Sequence, residues 1–214
     1  MVDMPAVTRM VHKDWLVNRT FILASLAVLL LGVFRVLPVD GTTLYGVALA
    51  IMFVFATATQ DERTNAHVFV NSLPVSRPDI VTGKYVFNIG MGIIFTGIAI
   101  LVPGLMDQLP LKAMLTQLLI CAGAISGFVS VFMPMYYWLG PRFVQLGLFV
   151  TFFLLVAVVP PVHNLAVRNN FWGLLDVLGS LPALPWQVLT AAGVIGLLLA
   201  SWRLSIFLYG RKEF

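Results

Sequence analysis

Apolar residues occur along this chain in long runs, with short polar or proline-containing segments between them. A helix needs roughly 20 mostly apolar residues to cross a bilayer. Six runs fit this requirement: residues 16–37, 42–60, 79–102, 112–133, 142–159 and 185–209. The pattern predicts an all-α integral membrane protein, with one transmembrane domain over residues 1–214 and six spans.

Helix-breaking residues lie between most of these runs. Proline and glycine are concentrated at 38–41, 103–110, 140–141 and 160–161. Because both residue types interrupt helices, each of these sites is predicted to end one. The fifth run is the shortest of the six.

Two shorter segments have mixed character. Residues 5–18 place apolar side chains from Val7 to Trp15 at helical spacing, which predicts an interfacial helix over residues 1–15 ahead of the first span. The charges in this segment precede any long apolar run, so we expect an uncleaved anchor rather than a signal peptide. Residues 168–179 fit either a short interfacial helix or a loop rich in interface aromatics.

Most basic residues fall on one predicted side of the membrane. With the N-terminus inside, the outer side holds only Arg35, Lys112 and Arg168 of the 13 lysine and arginine residues. Cytoplasmic segments of membrane proteins carry the excess of such residues. We therefore expect both termini in the cytoplasm, which requires an even number of spans.

Composition supports a membrane protein and excludes several other classes. The chain is 60% hydrophobic and 10% charged, with a mean hydropathy of +0.97, whereas soluble domains are about 25% charged. The net charge is +4, but the basic residues form no dense run, so we expect membrane lipid and no nucleic acid as a partner. Cys121 is the single cysteine, which excludes an internal disulfide or a thiolate metal cluster.

The sequence carries no recognisable catalytic motif. Its one Gly-Lys pair, Gly83-Lys84, is followed by Tyr85, and Pro78 occupies the place of the first glycine of a nucleotide-binding loop. The three histidines lie far apart, so no shared metal site is expected. The predicted spans hold no central carboxylate of the kind that ion-coupled transporters need. We expect no enzyme activity, catalytic residue, metal or cofactor in this chain, and any work must draw energy from a partner.

The most polar part of the chain joins the second and third runs. We call residues 61–77 the elbow. Its first part is predicted to form a short helix that Pro74 interrupts, after which Ser76 caps a new helix with Pro78 and Asp79 in its first turn. A cytosolic partner that binds such an elbow is able to displace it. The alternative is a solvated loop whose charges only set topology.

These residues carry a resemblance to a known family. The run from Asp61-Glu62-Arg63 through Leu73-Pro74-Val75-Ser76-Arg77 to Gly83-Lys84-Tyr85 resembles the corresponding loop of ABC-2 type permeases. It is most similar to the compact six-span permeases of bacterial peptide and drug exporters, such as the phenol-soluble modulin exporter. Motif-level similarity is limited to residues 61–85, and the last three spans match by hydropathy alone.

The resemblance implies a complex in the bacterial cytoplasmic membrane. Two permeases, identical or paralogous, would pair with two cytosolic ABC ATPases that bind ATP and Mg²⁺. A coupling helix in the elbow would dock on the ATPase through Asp61, Glu62, Arg63 and His67. A hinge would follow at Leu73, Pro74, Val75, Ser76 and Arg77. Arg77 would pair with an ATPase carboxylate or with Glu62.

Few polar groups lie at predicted membrane depth. Asn88, Thr96, Thr116 and Gln117 would either line a translocation path or form interhelical hydrogen bonds. Close helix approach is expected at Gly83, Gly90, Gly92 and Gly97.

Three interpretations of function remain open. The first is an exporter of hydrophobic or amphipathic cargo, with peptide toxins or antimicrobial peptides as first choice. The second is a lipid or drug exporter. The third is a non-transporting membrane protein, such as an assembly factor or an enzyme acting on lipid.

Overall fold

The described part of the computed structural model is helical. It comprises residues 4–34, 36, 42–63, 75–140, 146–147, 150 and 183–211. The long helices are α1 (Met4–Val33), α2 (Thr42–Arg63), α3 (Arg77–Met106), α4 (Leu111–Leu139) and α5 (Ala183–Gly210). Each contains a stretch long and apolar enough to cross a membrane. The all-α membrane fold is therefore confirmed with five candidate spans, whereas the predicted fifth span, 142–159, lies largely outside the described residues.

α1 differs from its prediction because it is one continuous helix. No break separates residues 4–15 from the first span, so the prediction of a distinct interfacial helix is wrong. The apolar positions Val7 and Met10 are buried in the protein, and Met10 lies against Gly83 of α3. Val7 and Met10 of the amphipathic stripe thus pack inside the protein, whereas Trp15 is exposed.

α3 continues past the proline that was predicted to end it. Pro103 lies inside the helix, which ends at Met106. Backbone hydrogen bonds of 2.8 Å from Asp107 to Pro103 and from Leu109 to Gly104 close the end. A membrane helix tolerates proline where neighbouring groups satisfy the backbone that it frees.

α3 is the central helix of the described bundle. It packs against α1, α2, α4 and α5. Its Phe87 and Phe95 each lie 5.5 Å, between ring centroids, from Phe53 of α2, and all three rings are buried. These contacts place the core along the inner face of α3.

Two of the four predicted glycine contacts are confirmed. A Cβ built on Gly92 would lie 2.7 Å from a methyl carbon of Ile125 on α4, and one on Gly83 would lie 2.8 Å from Cβ of Met10. Only a glycine lets the helices approach so closely without a shift at these positions. Among the described residues, no atom lies within 4 Å of a Cβ built on Gly90 or Gly97, so close approach at these two positions stays a prediction.

Helix directions follow from paired contacts. α2 runs antiparallel to α3, since Thr57 bonds Asn88 and Asp61 bonds Lys84. α4 and α5 run parallel, since Ser201 bonds Ser130 and Val194 lies beside Gly123. The end of α4 and the start of α5 therefore lie on opposite sides of the bundle, as the six-span prediction requires.

Candidate functional site

The start of α3 forms the described end of the elbow. Ser76 caps the helix in an extended conformation. Its hydroxyl accepts from the Asp79 backbone N–H at 3.4 Å and donates to the Asp79 carboxylate. Pro78 occupies the first turn, where a missing N–H costs nothing. The predicted cap is confirmed, and it fixes the direction in which the chain enters α3.

Arg77 has a partner that neither prediction named. Its guanidinium donates to the backbone carbonyl of Gly210 at the end of α5. A cation at a helix C-terminus also interacts favourably with the helix dipole. Arg77 therefore links the elbow to the last described helix, and it remains exposed. Val75, just before the cap, is partly buried against the core.

Much of the predicted docking and hinge segment lies outside the described residues. This part covers residues 64–74, which include His67, Leu73 and Pro74 and most of the predicted coupling helix. Glu62 and Arg63 form the last two positions of α2. The elbow is thus described at its two anchored ends.

Asp61 lies inside the bundle rather than on its surface. Its side chain pairs with Lys84 of α3, and Asp14 of α1 has a carboxylate oxygen 3.9 Å from the same Lys84 nitrogen. Asp14, Asp61 and Lys84 are only 1%, 7% and 8% exposed. We call these three residues the charge cluster. Lys13 adds a further contact, 2.9 Å from the other Asp14 oxygen.

Sequence reasoning missed the charge cluster. The sequence assigns Asp61 to the docking face and places Lys84 in the third predicted span. Burial of an unpaired charge is costly, so the pairing explains how Asp61 and Lys84 are accommodated inside apolar helices. The available signal was the position of Lys84 within an apolar run, yet pairing it with Asp61 requires the register of α2 against α3.

The four predicted path residues do not come together. Asn88 and Thr96 are fully buried. Asn88 accepts from the Thr57 hydroxyl at 3.0 Å, and Thr96 bonds the carbonyl of Gly92 in its own helix at 2.8 Å. Thr116 and Gln117 lie on the exposed side of α4.

A second polar group joins α3 to α4 and α5. The Tyr85 hydroxyl lies 2.7 Å from that of Ser201 and 2.8 Å from that of Ser205. Ser201 in turn donates to the carbonyl of Ser130, and the Trp202 indole donates to Thr82 at 2.9 Å. These hydroxyls satisfy one another inside the bundle, where no water replaces a lost partner.

No cluster able to hold a metal ion occurs among the described residues. Among the buried charged residues described, Asp14 and Asp61 pair with Lys84, and Asp79 accepts from the Ser76 hydroxyl. The other buried polar side chains described are hydroxyls and amides. The geometry is that of a multi-pass helical membrane protein with a polar elbow at one end.

Comparison with known proteins identifies the class further. The family model described as ABC-2 family transporter protein matches residues 9–210. The chain therefore belongs to the ABC-2 transporter family, whose permeases are typically non-enzymatic membrane components that partner with an ABC ATPase. No match was found among curated proteins or solved structures.

Proposed function

We propose that this chain is the permease subunit of an ATP-driven exporter that works as a dimer with two cytosolic ATPases. The sequence has no nucleotide-binding loop of its own, so the energy comes from a separate subunit. ATP binding closes the ATPases, the elbows follow, and the two permeases rock to open a path outward.

The elbow is the observation that carries this proposal. Most of the described basic residues gather at its end of the bundle, as expected for a cytoplasmic face. Those at this end are Arg9, Lys13, Arg63, Arg77, Lys84, Arg203 and Arg211; Arg19 lies near the middle of α1, and Lys112 starts α4 at the other end. The docking face then consists of Glu62, Arg63 and His67. Asp61 is not part of it, because its side chain is buried and pairs with Lys84. Arg77 stays exposed beside the C-terminal end of α5, where an ATPase is able to reach it.

The cargo follows from the polarity of the interior. Described polar groups inside the bundle are the paired charges of the charge cluster, Asp79 capped by Ser76, and neutral hydroxyls and amides. Such a surface offers little to a charged solute and suits a hydrophobic or amphipathic one. We assign an amphipathic peptide, such as a toxin or antimicrobial peptide, as first choice, and a lipid or small hydrophobic drug as second.

Co-purification with the cognate ATPase tests the docking proposal. We expect the ATPase to remain bound to the detergent-solubilised permease, and the double change Glu62→Ala with Arg63→Ala to lower recovery at least tenfold. Lys112→Ala, at the opposite end of the bundle, serves as the matched control and should leave recovery unchanged. Equal binding of the double variant and the native chain would contradict the docking assignment.

A further inference from the structure

The charge cluster joins three helices directly behind the elbow. We propose that Lys84 is a positioning residue that makes α1, α2 and α3 move as one unit when the elbow is displaced. This inference rests on the proposed function, because it supposes that an ATPase displaces the elbow. Lys84 is suited to the role since its single ammonium group lies between a carboxylate of α1 and one of α2.

The location of Asp61 connects the cluster to the elbow. Asp61 lies two positions before Arg63, the end of α2, and Lys84 lies seven positions, about two turns, after the start of α3 at Arg77. The two helices on either side of the elbow, α2 and α3, are therefore joined by a buried ion pair close to it. A force applied at the elbow reaches both helices through this pair.

Electrostatics explain why the three helices would not slide past one another. Moving α2 along α3 would leave Asp61 and Lys84 as unpaired charges in an apolar interior, which is strongly unfavourable. A buried ion pair adds little to stability by itself, but it favours one register over its neighbours. Asp14 extends the same constraint to α1.

Neighbouring contacts reinforce the unit. One helical turn beyond the ion pair, Thr57 donates to Asn88 at 3.0 Å, so α2 and α3 share two successive polar contacts. On the other side of α3, Gly83 allows a close approach of α1. A Cβ built on Gly83 would lie only 2.8 Å from Cβ of Met10. These contacts leave little room for relative motion.

The contacts of α3 with α5 are of a different kind, whereas α4 approaches α3 closely at Gly92. Inside the bundle the contacts with α5 include the neutral hydrogen bonds of Tyr85, Ser201, Ser205 and Trp202. A hydroxyl is able to exchange one hydroxyl partner for another without leaving a charge behind. Sliding by shear is therefore expected between α5 and the unit formed by α1, α2 and α3.

Distance measurements between spin labels test the unit directly. In a Cys121→Ser background, cysteines at Leu16 and Leu105 report the α1–α3 distance, and cysteines at Leu105 and Leu199 report the α3–α5 distance. All three positions are exposed. In the permease–ATPase complex, ATP with vanadate should change the α3–α5 distance by several ångströms (~5 Å, one helical turn, at most) and leave the α1–α3 distance unchanged. A change in both distances, or in neither, would overturn the proposal.

Variants of Lys84 separate positioning from a merely structural role. Lys84→Met should at least double the width of the α1–α3 distance distribution in the permease alone, and so should the neutral pair Asp61→Asn with Lys84→Met. Lys84→Arg keeps a cation between the carboxylates of Asp14 and Asp61 and should retain the native width, and Lys112→Met should not alter it. An unchanged width in both neutralised variants would refute the inference. Failure of the native chain to bind the ATPase would instead contradict the proposed function. The two failures are distinguishable because the distribution widths are measured on the permease without the ATPase.

Discussion

Gly46 lies at a close contact between α2 and α3. A Cβ built there would be 2.5 Å from Cβ of Ala99 and 3.3 Å from the backbone oxygen of Phe95. Neither neighbour is the flexible end of a side chain, so added volume must push the two helices apart. Overpacking of this kind costs about 1–3 kcal/mol.

Gly46→Ala should therefore destabilise the protein by about 1–3 kcal/mol. Gly97→Ala on α3 is the matched control, because no described atom lies within 4 Å of its added Cβ. The buried thiol of Cys121 provides the measurement, since a thiol-reactive dye labels it only on unfolding. Equal unfolding midpoints for the two variants would show that the Gly46 contact is not formed.

Residue roles were predictable where the signal is local. Ser76, Pro78 and Asp79 lie within four consecutive positions, so their cap could be inferred from spacing alone. Asp61 and Lys84 are 23 positions apart, and their pairing depends on the register between two helices. No spacing in one sequence specifies that register, which is why the charge cluster was missed.

At the scale of the element, the entry into α3 depends on the Ser76 hydroxyl. Ser76→Ala removes the acceptor for the Asp79 N–H and should cost about 1 kcal/mol. Because 1 kcal/mol is about a fivefold change in an opening equilibrium, the Asp79 and Ile80 amides should exchange with deuterium about five times faster. Ser76→Thr retains the hydroxyl and should exchange at nearly the native rate. Unchanged exchange in the alanine variant would mean that the cap does not hold the first turn.

Helix ends were predicted less well than helix existence. Hydropathy identified each long described helix, because a run of about 20 apolar residues has no other stable environment. It misplaced the start of α1, which depends on a tertiary contact, and the end of α3, which depends on backbone hydrogen bonds after Pro103. Packing of Met10 on Gly83 extends α1 toward its N-terminus, and backbone bonds around Pro103 carry α3 onward.

At the scale of the whole molecule, the described helices share one arrangement of ends. The first turns of α1 and α3 and the last turns of α2, α4 and α5 lie at the end that bears the elbow. The start of α1 and the end of α5 therefore lie on the same side of the bundle. This agrees with the expected even number of spans, and the sequence could predict it because lysine and arginine are so unevenly placed.

Cysteine labelling of topology tests the central claim, that the elbow faces the cytoplasm, most directly. In a Cys121→Ser background, Ala66→Cys lies in the elbow, and Leu109→Cys lies at the exposed connection between α3 and α4. A membrane-impermeant thiol reagent applied to intact cells should label position 109 and leave position 66 unlabelled until the cells are opened. Labelling of position 66 from outside intact cells would place the elbow beyond the reach of any cytosolic ATPase and contradict the account.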